Sequence, residues 1–287
     1  MPQQYLLCSD LDRTILPNGH QEESPGARKL LAKLAGQPQI KLAYVSGRHK
    51  KLLQDAIVEY DIPTPDFAIC DVGTTIYTTS HNEWQPCLDW SAKIGADWQG
   101  KTAGNLIELL ADLNSLTLQE PEKQNSYKLS FYTPVAIDLP PLRATIRDRL
   151  EQAGIKAGII FSIDEMAKVG LLDILPSSAD KLQAIKFLMA HEGFSDSHTV
   201  FAGDSGNDLS VLTSGMKSIL VRNADNNVRE EAQRYLAATD QLQQLYLAHG
   251  GFSGMNGNYA AGVLEGFYHF FPEVHQGGIP LANNNHY

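Results

Sequence analysis

Short apolar runs recur along the first part of the chain, and each ends in small or polar residues. Tyr5-Leu6-Leu7-Cys8 runs into Ser9-Asp10-Leu11-Asp12-Arg13-Thr14 and then Pro17-Asn18-Gly19; Ile40 to Val45 runs into Ser46-Gly47-Arg48; Phe67 to Cys70 runs into Asp71-Val72-Gly73-Thr74-Thr75. Runs this short, bounded by turn formers, predict buried strands whose carboxyl ends open into loops. Between them the apolar residues change period. Ala27, Leu30, Leu31 and Leu34 lie at helical spacing behind Ser24-Pro25, which reads as an N-cap and a proline at the first helical position, and Leu52, Leu53, Ala56 and Ile57 repeat the pattern. Such alternation predicts an α/β core, Rossmann-like and three-layered, with a parallel sheet and right-handed crossovers.

The rhythm changes between about Asn82 and Lys168. Trp84, Trp90 and Trp98 cluster there, followed by a helical stretch over 103–113, a strand over 127–133, a helix from Pro140-Pro141 and a strand over 155–161. This β-rich, helix-backed stretch predicts an inserted α+β domain over 82–168, dividing the core into 1–81 and 169–287. The core sheet is expected to resume with Leu171 to Leu175, a helix at Lys181, strands over 199–202 and 217–221, and a helix over 228–236. His249 to Gly262 is glycine-rich and irregular and leads into a helix over 259–271. The tail from Pro272, with Asn283-Asn284-Asn285, has little to bury and is expected to be mobile.

Composition narrows the partners. With 287 residues, 43% of them hydrophobic, the chain can bury a substantial core, and its formal net charge of -10 argues against a nucleic-acid or anionic-membrane surface. A small anionic substrate in a locally positive pocket stays compatible with that charge. Cys8, Cys70 and Cys87 lack CxxC spacing and read as free thiols of a reducing cytoplasm. No secretory leader or membrane-spanning stretch is recognisable, so a cytoplasmic location is expected. No heptad seam or apolar patch fixes an oligomeric state, and neither G-x-x-x-x-G-K-[ST] nor G-x-G-x-x-G is present.

Asp10 and Asp12 are where chemistry is expected. Two carboxylates two residues apart at a strand end repel each other and lose hydration unless a cation or a charged substrate group compensates them. Capping of a turn is the bland alternative. Ser46-Gly47 can be an ordinary strand-to-helix cap, and Gly203-Asp204-Ser205-Gly206-Asn207-Asp208 a polar helix start. Lys181, in the first turn of its helix, works against the helix dipole, so something else should favour it there. In an open parallel sheet, however, ligands bind outside the carboxyl ends of the strands, so these segments can converge on one site.

In these residues the chain resembles the haloacid dehalogenase superfamily of phosphatases: Asp10-Leu11-Asp12-Arg13-Thr14, Ser46 with Gly47, Lys181, and Gly203 to Asp208 stand for its four signature pieces. The resemblance implies that Asp10 attacks phosphorus to form an aspartyl-phosphate and that Asp12 serves as general acid and base. It implies Mg²⁺ on the Asp10 and Asp204 carboxylates and the Asp12 carbonyl, with Asp208 orienting the metal shell. It also implies that Ser46, Gly47, Lys181 and Asn207 hold the phosphoryl oxygens. The insertion corresponds to a cap of the C2, α+β type.

Softer features, Asp71 to Tyr77, Lys128 to Tyr132, Leu172 to Pro176 and Val221 to Ala224, are similar to the sucrose-phosphatase-like branch. There Asn125 and Lys128 become candidate ligands for sugar hydroxyls; solvent-facing polar residues flanking a strand are the plainer alternative. The implied substrate is a sugar phosphate, sucrose 6-phosphate first, with mannosylfructose, glycosylglycerate, trehalose or hexose phosphates as alternatives. A mutase on the same scaffold and a phospho-accepting regulatory module, with Asp71 as acceptor, are the other readings. Arg13, bulky where smaller residues are common, is left between solvent and the cap.

Overall fold

A computed structural model of the chain describes residues 3–80, 83–164 and 167–277. In chain order the elements are β1 (Tyr5–Ser9), α1 (Ala27–Ala35), β2 (Ile40–Val45), α2 (Lys50–Glu59), β3 (Phe67–Cys70), β4 (Thr75–Ser80) and β5 (Glu83–Pro86). There follow α3 (Leu88–Gly95), α4 (Ala103–Leu110), β6 (Thr117–Leu118), β7 (Leu129–Thr133), α5 (Leu139–Gln152), β8 (Ala157–Asp164) and β9 (Val169–Pro176). The chain closes with α6 (Lys181–Glu192), β10 (Thr199–Gly203), α7 (Leu209–Leu212), β11 (Ser218–Leu220), α8 (Asn226–Ala238), β12 (Leu245–Leu247) and α9 (Ala260–Phe270).

The α/β class holds, with two sheets. The larger has the order β12-β11-β10-β1-β2-β3-β4-β5, the smaller β6-β7-β9-β8. From β12 to β3 every neighbouring pair is parallel. β1, β3 and β10 are buried along their whole length, as strands covered on both faces must be. The expected parallel sheet is extended at one edge, where β4 and β5 add antiparallel. The link from Cys70 to Thr75 is far too short for a crossover, so the chain can only fold back.

The same argument moves another strand. β8 and β9 pair antiparallel from Ala157↔Pro176 to Asp164↔Val169, so Leu171 to Leu175 belongs to the smaller sheet and does not return to the larger one. With β5 in the larger sheet and β9 in the smaller, the chain leaves the larger sheet at Pro86 and completes the smaller one at Pro176. The expected boundary at 81/82 lies outside the described residues, as does the tail beyond Gly277; the tail expected from Pro272 is corrected in its first part, where Pro272–Gly277 forms a helical turn and Val274 is buried in the larger core.

Two hydrophobic clusters match the two sheets. Trp84 and Trp90 belong to the larger and Trp98 to the smaller, so the three tryptophans do not form one cluster. Helix α1 starts at Ala27 with Gly26 as its N-cap, not with Ser24-Pro25, and the Ser24 hydroxyl instead accepts a hydrogen bond from the Asn256 amide at 2.8 Å.

The glycine-rich segment thereby acquires a place. Asn256 and Asn258 side chains both donate to the Glu22 carbonyl, clasping the loop that follows the Asp10-Leu11-Asp12 stretch. Glu265, buried on α9, accepts from the His249 and Gly250 amides and from the Tyr246 hydroxyl. Gly266 lets α9 lie against β11, since a Cβ there would stand 2.5 Å from Ile219. No helix among the described residues is long and apolar enough to cross a membrane.

Candidate active site

Register brings the motif residues together. Ser9 pairs with Ala202 of β10 on one side and with Tyr44 of β2 on the other, and Val45 pairs with Ile69 of β3. The residues just beyond these pairs, Asp10, Ser46, Asp71 and Asp204, therefore line one carboxyl edge. The strand order reverses there, because the chain moves from β1 to β2 and β3 on one side and returns to β10 on the other. Asp180 caps α6 by accepting from the Gln183 amide at 2.7 Å, which fixes where Lys181 begins.

Lys181 is the hub. It is 2% exposed, and its ammonium donates to Asp10 Oδ1 at 2.9 Å, Asp208 Oδ1 at 2.8 Å and Asn207 Oδ1 at 3.2 Å. Burial works against its charge, but Asp10 and Asp208 more than offset that and hold it protonated. The unfavourable place in the helix's first turn thus has its compensation. Lys181 turns to Asp10, whereas a phospho-acceptor at Asp71 would need that cation itself.

The four carboxylates differ in what they have left to offer. Asp208 is fully engaged: Oδ1 by Lys181, Oδ2 by the amides of Asp204 at 3.0 Å and Ser205 at 3.2 Å. Asp204 Oδ1 accepts from the Thr14 hydroxyl at 2.9 Å, while Asp204 Oδ2 is buried and accepts no hydrogen bond among the described residues. Arg13 Nε lies 3.4 Å from that oxygen without forming a hydrogen bond to it. Burial raises the proton affinity of Asp10 despite Lys181, and raises that of Asp204 to about 7, with Asp208 adding to it.

These are the marks of a cation site. Ligand atoms of Asp10, Asp204 and Asp208 lie within 4.8 Å of one another, all three residues are buried, and one oxygen is orphaned. The hard oxygen donors suit Mg²⁺. Asp208, its oxygens already taken, suits the indirect part that the resemblance implied.

Asp12 stands apart from that cluster. Arg48 grips it with a fork, Nε to Oδ2 at 2.8 Å and Nη2 to Oδ1 at 2.6 Å, and Asn18 donates to Oδ1 at 2.6 Å. Burial would raise the Asp12 carboxyl, but the Arg48 hydrogen bonds outweigh it and hold it below the ordinary range. Arg48 was missed as a site residue although it follows Ser46-Gly47 directly. Its partner lies across a strand pair that only the register reveals. Arg13 is partly exposed to solvent and pairs with Asp225 at 2.7 Å beside Asp204.

Ser46 is buried, its hydroxyl accepting from the Arg48 amide at 3.1 Å, and Gly47 is exposed beside it. Next along the edge, Asp71, Val72 and Gly73 have φ of 54°, 59° and 95°, three consecutive left-handed residues. A non-glycine residue in such a conformation costs about 1–3 kcal/mol and persists only where its surroundings impose it. Here the Asp71 and Val72 amides donate to the carbonyls of Arg48 and Ser46, and the Trp90 indole donates to the Gly73 carbonyl. A Cβ on Gly73 would stand 2.5 Å from the Asp180 carbonyl oxygen.

The predicted residues of the smaller sheet approach this tip. Asn125 Nδ2 donates to Thr74 Oγ1 at 3.0 Å, and Lys128, 6% exposed, lies one bridge pair away from Asn125. Neither residue is a plain solvent-facing position.

A family model described as sucrose-6F-phosphate phosphohydrolase matches residues 3–271. A HAD-like hydrolase of Nitrosococcus oceani is 61% identical over 274 residues, covering 96% of this chain and 74% of that protein. Sucrose-phosphatase 1 of Nicotiana tabacum is 28% identical over 92% of this chain, which spans only 59% of the tobacco protein. Among solved structures, the sucrose-phosphatase from Synechocystis in complex with sucrose and phosphate shares the fold, with a TM-score of 0.71 at 24% identity over 94% of this chain and 98% of that one.

Proposed function

The chain belongs to the sucrose-6F-phosphate phosphohydrolase family and is a phosphatase; from that premise we propose that it hydrolyses a phosphate monoester of a sugar, sucrose 6-phosphate first, through an aspartyl-phosphate. The observation that carries this reading is the convergence on Lys181 of Asp10, Asp208 and Asn207, beside the orphaned Asp204 oxygen.

Asp10 is the nucleophile. Lys181 fixes one of its carboxylate oxygens, and the other attacks phosphorus as the bond to the sugar oxygen breaks. Asp12 gives its proton to that departing oxygen. In the second displacement Asp12 takes a proton from water, whose oxygen attacks phosphorus and releases phosphate, restoring Asp10. General acid and base assistance of this kind contributes about 10²–10⁴ in rate.

With both oxygens held by Arg48 and Asn18, Asp12 sits as a carboxylate, the form that acts as base. To act as acid it must exchange one of those contacts for the sugar oxygen. Ser46, the Gly47 amide and Asn207 hold the phosphoryl oxygens while charge shifts, and Lys181 joins them by exchanging its contact with Asn207 for a phosphoryl oxygen. A bound Mg²⁺, held by Asp10, Asp204 and the Asp12 carbonyl with Asp208 behind them, would neutralise charge between nucleophile and phosphate. The smaller sheet and its helices form the cap, with Asn125 and Lys128 offering hydrogen bonds to the sugar.

The test is phosphate release from a panel of hexose and disaccharide phosphates with Mg²⁺. A marked preference in kcat/KM for sucrose 6-phosphate is expected. Preference for another disaccharide phosphate would replace the substrate and keep the reaction; release from none would overturn the sugar reading.

A further inference from the structure

The left-handed tip Asp71-Val72-Gly73 carries a group that the reaction above leaves unused. The tip is wedged between the Ser46-Gly47-Arg48 tip and the start of α6, so it is fixed from both sides by the segments that hold phosphate and nucleophile. Asp71 itself is 5% exposed. Burying a carboxylate is unfavourable unless something nearby compensates it.

The compensation comes mainly from the other sheet. Burial pushes the Asp71 carboxyl up to about 6, and the groups that oppose the push are Lys128 and Asn125 together with the neighbouring Thr75; Asp173 on β9 adds to the burial effect. Lys128 lacks full compensation too. Its ammonium donates to the Lys123 carbonyl at 3.1 Å and has Asp173 Oδ1 at 3.7 Å, an oxygen already accepting from the Ser130 hydroxyl. The seam between the sheets therefore contains an acceptor from β3's tip and a donor from β7's approach, with Asn125, which offers both kinds of atom, beside them.

A sugar hydroxyl both donates and accepts, and adjacent hydroxyls are matched by alternating acceptors and donors. We infer that Asp71 is a specificity-determining residue, its carboxylate accepting a hydrogen bond from a hydroxyl of the sugar while Lys128 and Asn125 serve neighbouring oxygens. This rests on the sugar-phosphatase reading and adds to it a ligand on the core side of the seam. The class of substrate is a polyhydroxylated phosphate monoester whose leaving group extends from Asp10 past the Asp71 tip to the smaller sheet. The strained backbone is then what aims the carboxylate across the seam, at a fixed distance from the phosphate.

Asp71→Asn and Asp71→Ala test it, with sucrose 6-phosphate and p-nitrophenyl phosphate as the two substrates and thermal unfolding alongside. The ratio of kcat/KM for the sugar phosphate to that for the aryl phosphate should fall by about 10- to 100-fold in Asp71→Ala, the range of one hydrogen bond to a charged group. The change should lie in KM, and Asp71→Asn should recover part of it. An equal loss on both substrates, or a loss that follows a lowered melting temperature, would show that Asp71 merely stitches the tip to Asn125. If the wild type turns over the aryl phosphate but no sugar phosphate, the sugar reading falls and takes this inference with it. If the wild type acts on sugars and the variants keep the ratio, only the inference falls.

Discussion

Two lysines are buried among the described residues, one at each sheet, and their surroundings differ. Lys181, on the edge of the parallel sheet, finds two carboxylates within 2.9 Å and an amide oxygen at 3.2 Å. Lys128, beside the antiparallel sheet, has a backbone carbonyl at 3.1 Å and a carboxylate no nearer than 3.7 Å. A buried charge is tolerable when its hydrogen bonds are complete. Lys181 meets that condition within the protein. Lys128 makes fewer of its hydrogen bonds within the protein. The surroundings agree: β1 and β10 are buried throughout, whereas β8 is half-exposed or exposed along its length. On the proposed reading, the charge for the reaction sits at the covered sheet and the recognition of the sugar at the more open one.

Replacing Asp10, the proposed nucleophile, should have the largest effect on that contrast. Asp10→Asn is expected to lower kcat by about 10⁴-fold or more on every substrate while the protein stays folded, as read by phosphate release and circular dichroism. Turnover that survives in this variant would remove Asp10 from its role. Asp12→Asn comes next, with about 10²–10³-fold expected for a sugar phosphate. The loss should be clearly smaller for p-nitrophenyl phosphate, because that leaving group departs with little protonation. Arg48→Ala should show the same leaving-group dependence in weaker form, since it frees Asp12 rather than removing it; a uniform loss would make Arg48 a phosphate ligand instead.

On the other side of the comparison, Lys128→Ala should lower the ratio of kcat/KM for sugar over aryl phosphate by about 10-fold, mostly through KM. Equal effects would make Lys128 a structural residue of the cap.

The smallest effect is a coupling between pH and metal. Burial raises the proton affinity of Asp10 and of Asp204, the latter from the ordinary 3.8 to about 7, so between those values the folded, metal-free protein binds more protons than the unfolded chain. Stability then falls as pH rises through that interval. A cation held by the same carboxylates relieves the repulsion of their ionised forms. Mg²⁺ should therefore raise the melting temperature by several degrees at pH 8 and by much less at pH 5.5. The same increment at both pH values would show that the cation binds elsewhere.

Much of this arrangement was legible along the chain, and the exceptions have a common cause. β2 and β3 fall where their apolar runs place them, because a strand buried on both faces leaves an unmistakable run. β12, of only three half-buried residues, leaves none. β4, β5 and the membership of β9 were misread because an apolar run carries no record of its partner. Arg13 and Arg48 could be seen but not assigned, since their carboxylate partners lie 212 and 36 positions away. The role of Glu265 under the glycine-rich segment was hidden in the same way.

The sequence by itself determined the alternation of strand and helix, the change of rhythm that becomes the second sheet, and the segments Asp10 to Thr14, Ser46-Gly47, Lys181 and Gly203 to Asp208 to which the proposed chemistry is assigned, because each is a local pattern of residue types. Only the tertiary structure decided how those groups divide the work. Which carboxylates face Lys181, which is clamped by Arg48 and which oxygen of Asp204 accepts no hydrogen bond among the described residues all depend on register and burial. Those quantities are set by residues distant in sequence, and it is they that set charge and proton affinity.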